Sequence, residues 1–333
     1  PKYVLMEMFM RKILLASTAL VAVAGISAAN AEITFSGNSA IGYSTWSDNV
    51  VDNATAGENG TAVLTDTDMA ASWSTTTDTG LVLSVSYDVD SPSSSGSLAG
   101  DFGTISWDDG QEAMGVGGGD ADAVTLMGNV GDNDIAYQGG ESIEGGNIAY
   151  SNTIGGISFG IGMGNGGADD ANETSYGVSY SSSVNGADVS LSYAAASEGH
   201  ENTAVATTDA SSTSMTVGVA VGSIGIDVAQ NSSKTTRFDD NASGDGYTDM
   251  KSTNIGLSYT VTDSLSLTAA SVAASGTITT NADYKYDESA YGVDYTVATG
   301  VALSAGFSDW SQTGGGQTTI SGTGTKIRLK VSF

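Results

Sequence analysis

The chain has 333 residues, with 38 acids against 10 bases, one histidine and a net charge of −28. So acidic a protein repels phosphates, which excludes nucleic acid as a partner. The absence of cysteine excludes disulfide staples and thiolate metal sites.

Arg11 and Lys12 open a basic start, Ile13 to Ala24 is apolar, and Ala29-Asn30-Ala31 places small residues where a signal peptidase reads. The apolar run is about a dozen residues, too short to span a bilayer, which needs roughly 20. Residues 1–31 are therefore expected to be upstream sequence and a cleaved signal peptide, with the cut between Ala31 and Glu32. Met10 is the more natural start, which makes residues 1–9 an expected upstream extension. Residues 32–333 then form one exported domain, still more acidic because Glu7 is the only acid left behind. No later stretch reaches 18 continuous apolar residues, so no membrane helix is expected there.

From Glu32 onward the chain reads as short alternating segments. Leu83, Val85, Tyr87 and Val89 alternate with Ser84, Ser86 and Asp88, and Ile157, Phe159, Ile161 and Met163 with Ser158, Gly160 and Gly162. Tyr176, Val178 and Tyr180 follow, then Val189, Leu191 and Tyr193, then Met215 to Val221 at every second place. Ile255, Leu257, Tyr259 and Val261 come next, then Tyr291 to Val297 and Val301 to Phe307 in the same period. The last segment is the clearest: Ile327, Leu329, Val331 and Phe333 share one face, Lys326, Arg328, Lys330 and Ser332 the other. Phe333 closes the chain as the expected terminal assembly residue.

Connections come in two kinds. Asp78-Thr79-Gly80, Gly155-Gly156, Asn185-Gly186, Gly222-Ser223, Thr262-Asp263 and Ala298-Thr299-Gly300 are tight hairpin turns. The other kind is long and polar, at 47–61, 165–172, 198–210, 232–250, 276–283 and 312–321. Residues 91–97 read as a short connection on that long side. Short turns at one rim and long loops at the other suit an all-β, transmembrane antiparallel barrel, and the count is sixteen strands. One face carries Ser, Thr, Gly, Asn and Asp, which cannot make a dry core but suits a water-filled lumen. A soluble sandwich remains the alternative, because period two alone does not say which face is buried.

The connection after Thr104–Trp107 is about forty residues long. It holds Asp109, Glu112, Asp120, Asp122, Asp132, Asp134, Glu141 and Glu144, and no base. It also holds Val124, Leu126, Met127, Ile135 and Tyr137, too apolar for a loop surrounded by water. Such length is functional or disordered. Folding into the barrel would give the apolar side a wall and present the acids to the pore.

Glu32-Ile33-Thr34-Phe35-Ser36-Gly37, Thr77-Asp78-Thr79-Gly80-Leu81, Phe102-Gly103-Thr104-Ile105, Asn133-Asp134-Ile135-Ala136-Tyr137 and terminal Phe333 occur in an order that resembles the general diffusion porins of alphaproteobacteria, the purple-bacterial type. The resemblance covers residues 32–333. It implies a Gram-negative outer-membrane barrel, a homotrimer, and a third long loop folded inward as a constriction with acids facing a cluster of wall arginines. The chain departs from that pattern. Its second strand reads Thr65-Asp66-Thr67-Asp68, which points Asp66 and Asp68 inward, and only Lys326, Arg328 and Lys330 make a basic wall patch. A lumen of that balance predicts a channel that prefers cations.

The remaining motifs are weak. Gly162-Met163-Gly164-Asn165-Gly166-Gly167 fits a dinucleotide fingerprint, but no helix follows. Gly117 to Asp122 resembles one calcium-roll repeat, and a roll needs several. Asp120 and Asp122, or Asp239 and Asp240, could hold a Ca²⁺ between carboxylates. No cofactor is required. His200 is the only histidine and sits in a polar loop. Tyr43, Tyr87, Tyr150, Tyr180, Tyr193, Tyr259, Tyr291 and Trp73 fall on outward positions suited to interfacial girdles. No nucleophile–base pair supports an enzyme. The partners expected are outer-membrane lipid, ions and small hydrophilic solutes. A channel specific for one solute would need an aromatic track along the lumen, and the inward faces promise little of one. A secreted β-rich adhesin is the other rival, and it would be soluble without detergent.

Overall fold

The structure, a computed structural model, describes residues 32–48, 59–89, 93–108, 147–165, 172–199, 209–235, 247–278, 283–314 and 319–333. They contain sixteen strands and no helix. In chain order these are β1 Glu32–Asp48, β2 Asn59–Thr76, β3 Val82–Asp88, β4 Ser93–Gly100, β5 Gly103–Asp108, β6 Ile148–Ile154, β7 Ile157–Asn165 and β8 Asn172–Val184. There follow β9 Ala187–Gly199, β10 Asp209–Val221, β11 Ile224–Thr235, β12 Tyr247–Thr262, β13 Leu265–Ile278, β14 Asp283–Ala298, β15 Val301–Gly314 and β16 Ile320–Ser332. Each pairs antiparallel with its chain neighbours, and β1 pairs with β16 to close the barrel. Gly37 and Phe333 exchange backbone hydrogen bonds of 3.1 and 3.0 Å across that seam. Closure leaves no sheet edge, the condition for a sheet to sit in hydrocarbon.

The tight turns form as their residues dictate. Asn185 and Gly186 adopt φ of 53° and 84°, the left-handed pair that a two-residue hairpin turn requires. The third connection on the long side runs from Asp108 to Asn147. The wall is uneven: β3 to β6 have 6 to 8 residues, whereas β1, β2, β12 and β14 have 16 to 18.

The faces separate cleanly. Ile41 is 57 % exposed and Ile161 53 %, and nearly every other exposed large apolar residue lies on the same face of the sheet. Every buried strand residue except Ala195 lies on the opposite face. On a closed barrel the concave side crowds its side chains, so the apolar face is the convex one. That arrangement is untenable in water and is what a lipid-embedded barrel needs. A soluble sandwich would have placed those side chains inside.

Two boundaries differ from expectation. Ser93–Ser97 belong to β4, in register with β3 and β5, rather than to a connecting loop. The outward face of β4 is Ser94, Gly96, Leu98 and Gly100, so almost no apolar alternation marks it. The long connections are shorter than expected, for example 49–58 in place of 47–61, because above the lipid belt both faces of a strand are polar.

Candidate functional site

The lumen wall is built from the inward residues, fixed by register. On β2 these include Asp66 and Asp68, paired through Ala40 and Asn38 of β1 to Lys330 and Ser332 of β16. Asp88, Asp108, Asp188, Asp227, Glu288 and Asp294 share that face, making eight inward acids among the residues whose side chains are described. The inward bases among them are Lys326, Arg328 and Lys330, consecutive on the inner face of β16. Lys234, Lys251 and Lys285 point outward, above the apolar belt, where Lys234 lies 3.9 Å from Asp249.

Two carboxylates beside the bases are held by neutral donors. Asn38 Nδ2 donates to Asp68 Oδ2 at 2.6 Å, and Ser304 Oγ donates to Asp294 Oδ1 at 2.6 Å. Ser183 donates to Asp188 near the short-turn end. On β2 to β5 the inner wall is a carpet of hydroxyls. Thr34, Ser72, Ser86, Ser95 and Asp108 form one transverse row, and Ser74, Ser84, Ser97 and Ser106 the next. They border a recess of about 410 Å³.

The opposite sector is different. Met250, Val272, Ala274, Tyr284, Tyr286 and Trp310 form one buried cluster on the inner face at the long-loop end of β12 to β15. Tyr286 and Trp310 stack with ring centroids 6.5 Å apart, and Tyr286 Oη donates to Glu288 Oε2 at 2.8 Å. Sequence reasoning missed this cluster. The signal was present on β14: Tyr284 and Tyr286 occupy even positions between outward Asp283, Lys285 and Asp287, whereas Tyr291 to Val297 occupy odd ones. The apolar phase inverts with no break in register, because above the bilayer the outside becomes wet and the inside can be dry. The cluster does not form an aromatic track for solutes, since Tyr284 and Tyr286 are 2 % and 3 % exposed.

The other expected site residues are placed as follows. Tyr43, Tyr87, Tyr150, Tyr180, Tyr193, Tyr259, Tyr291 and Trp73 all lie on the convex face. Phe333 packs its ring over Gly37, where an added methyl would sit 2.8 Å from Cζ. Gly162 to Asn165 are strand β7, not a turn into a helix. Asp109, Glu112, Asp120, Asp122, Asp132, Asp134, Glu141 and Glu144 lie outside the described residues, as do Ala31, His200, Asp239 and Asp240. Among the described residues no group of three or more His, Cys, Asp or Glu is placed to hold a metal ion.

This closed barrel is similar in fold to solved outer-membrane channels. A family model described as Gram-negative porin matches residues 16–315. The chain belongs to the Gram-negative porins. The barrel of this porin superposes on the anion-selective porin from Comamonas acidovorans with a TM-score of 0.64, at 15% identity over 91% of this chain and 100% of that one. The outer membrane channel DcaP of Acinetobacter baumannii gives 0.61, at 11% identity over 92% and 99%. A porin refined at 1.8 Å gives 0.56, at 17% identity over 91% and 100%. Identities this low carry the fold alone. No curated protein matches the porin by sequence. The family is one of channels, and the inner wall is accordingly the functional surface.

Proposed function

We propose that this porin is a general diffusion channel of the alphaproteobacterial type, passing ions and small hydrophilic solutes passively, with a preference for cations. The observation that carries the preference is the inner-wall balance of eight acids to three bases among the residues whose side chains are described. A wall of one sign concentrates its counter-ions in the lumen and excludes co-ions. The reading includes an inward fold of the third long connection, 109–146, which would add Asp109, Glu112, Asp120, Asp122, Asp132, Asp134, Glu141 and Glu144 to the same field. Its Val124, Leu126, Met127, Ile135 and Tyr137 are too apolar for a loop surrounded by water, which is what favours an inward fold. An N-terminal signal peptide directs export and is cut between Ala31 and Glu32, the assembly is a homotrimer, and no cofactor is needed.

Reversal potentials in planar bilayers under a potassium chloride gradient test the preference. The expected sign is that of a potassium-selective pore, moving toward zero in the Asp66→Asn, Asp68→Asn double variant. A chloride-selective sign would overturn the reading.

A further inference from the structure

We propose that a recess of the inner wall, at the short-turn rim of β8 to β12, binds neutral polyhydroxy solutes such as a linear hexitol or a monosaccharide. The proposal rests on the channel reading above. The recess holds about 550 Å³, room for one such solute. Two transverse rows of inward residues build it. Ser181, Ser190, Gly218 and Asp227 are register partners across β8 to β11. Ser183, Asp188, Ala220, Gly225 and Ser258 form the next row toward the rim, across β8 to β12.

The middle strands supply a floor. Gly218 and Ala220 of β10 and Gly225 of β11 carry almost no side chain, so a solute can lie close to the backbone. Ser190 and Asp227 lean over that floor from either side, and a methyl on Gly218 would collide with both Ser190 Oγ and Asp227 Oδ1. A hydroxyl and a carboxylate oxygen thus converge on a spot that only glycine leaves open. Asp188 is turned the other way and accepts from Ser183. With β10 between the two acids and an offset of one two-residue step, their Cα atoms are about 12 Å apart. They cannot close on one metal ion, and each works with its own hydroxyl neighbour.

This donor set decides the class of ligand. A carboxylate can accept from two hydroxyls on adjacent carbons, one to each oxygen, and such bonds are charge-assisted. A serine hydroxyl both donates and accepts, as a polyol hydroxyl does. A solute of about six carbons can therefore meet Asp227 and Ser190 at one end and Asp188 and Ser183 at the other, its middle over the bare floor. Neither row contains a base, so an anion finds no partner there. The recess opens to the lumen, since Ser181, Asp188, Ser190 and Ser258 are all exposed, and water competing for each bond keeps binding weak enough for release.

The test uses the full chain in planar bilayers in potassium chloride, with mannitol added at rising concentration. Tetraethylene glycol, a neutral solute of similar size without adjacent hydroxyls, is the comparison. Both lower the current by occupying the pore and thickening the solution. Mannitol is expected to add a saturable reduction that tetraethylene glycol lacks. Asp227→Asn keeps the shape and is expected to raise the half-saturating mannitol concentration about ten-fold, the loss of one charge-assisted contact. Gly218→Ala fills the floor and is expected to raise it too. Asp294→Asn removes the same charge elsewhere on the wall and is expected to leave it unchanged. If mannitol and tetraethylene glycol act alike, or if Asp294→Asn weakens the mannitol effect as much as Asp227→Asn does, the recess is overturned. A chain that opens no conducting pore at all overturns the channel reading instead.

Discussion

Two sectors of one inner wall, built from strands of the same sheet, live in different media. On β2 to β5 the inward side chains include Ser72, Ser74, Ser84, Ser86, Ser95, Ser97 and Ser106, and none of these is buried. On β12 to β15 the inward residues include Met250, Val272, Tyr284, Tyr286 and Trp310, and with them Asn254, Glu288 and Ser308, all buried. The backbone pairing is the same in both. What differs is side-chain volume and the height of the wall, low at β3 to β5 and tall at β12 to β15. The lumen face of a barrel is thus not one environment. It is wet where small hydroxyls leave room for water and dry where aromatic bulk fills the space.

The largest expected effect is on stability, and it separates the sectors. Trp310→Ala removes a buried indole that stacks on Tyr286, at a cost of about 3–5 kcal/mol. Ser97→Ala on the hydroxyl wall changes a group that already meets water, and its effect stays within about 0.5 kcal/mol. Denaturant unfolding in lipid vesicles measures both. Equal effects would mean that the two walls are equally wet.

A smaller effect probes how tightly the dry sector is packed. A methyl on Gly322 would sit 2.6 Å from Trp310 Cζ2, and the indole is locked by its neighbours. Gly60 lies under Trp46 and Gly96 under Trp107 in the same way, so glycine opposite tryptophan is a repeated device of this barrel. Gly322→Ala is expected to cost about 1–3 kcal/mol by overpacking. At Gly225 the obstacle is the Ser258 hydroxyl, which can rotate away. Gly225→Ala should therefore cost less than Gly322→Ala in the same unfolding measurement.

The fold was legible because lipid and water impose opposite demands on alternate residues. Ile327, Leu329, Val331 and Phe333 against Lys326, Arg328 and Lys330 place both faces of β16 without any structure. Strand β4 was hidden because Ser93 to Gly100 offers only Leu98 to the lipid, leaving pairing partners as its sole determinant. The acids and bases of the wall could be read for the same reason as the strands, since an inward charge needs only the parity of its position. The dry cluster could not be read that way, because parity tells which side a residue faces and not whether water reaches it. Tyr284 and Tyr286 look inward like Ser72 and Ser86, but they pack with Trp310, Met250 and Val272 in a buried cluster.

The finest comparison concerns hydrogen bonds of similar length in the two media. Ser72 and Ser86 bond through their hydroxyls at 2.9 Å on the wet wall, and Tyr286 bonds Glu288 at 2.8 Å in the dry one. Water competes for the first pair, so breaking it exchanges one bond for two equivalent ones. No such exchange is open to the second, where Glu288 is 6 % exposed and the lost partner leaves a buried oxygen unsatisfied. Double-mutant cycles separate these terms from the general cost of each substitution. With Tyr286→Phe and Glu288→Ala the coupling is expected at about 1.5 kcal/mol or more, since one partner is a carboxyl. With Ser72→Ala and Ser86→Ala it falls to about 0.5 kcal/mol or less. Equal couplings would show that water reaches Glu288 as freely as it reaches the serines, and the distinction between the two walls would then rest on side-chain bulk alone.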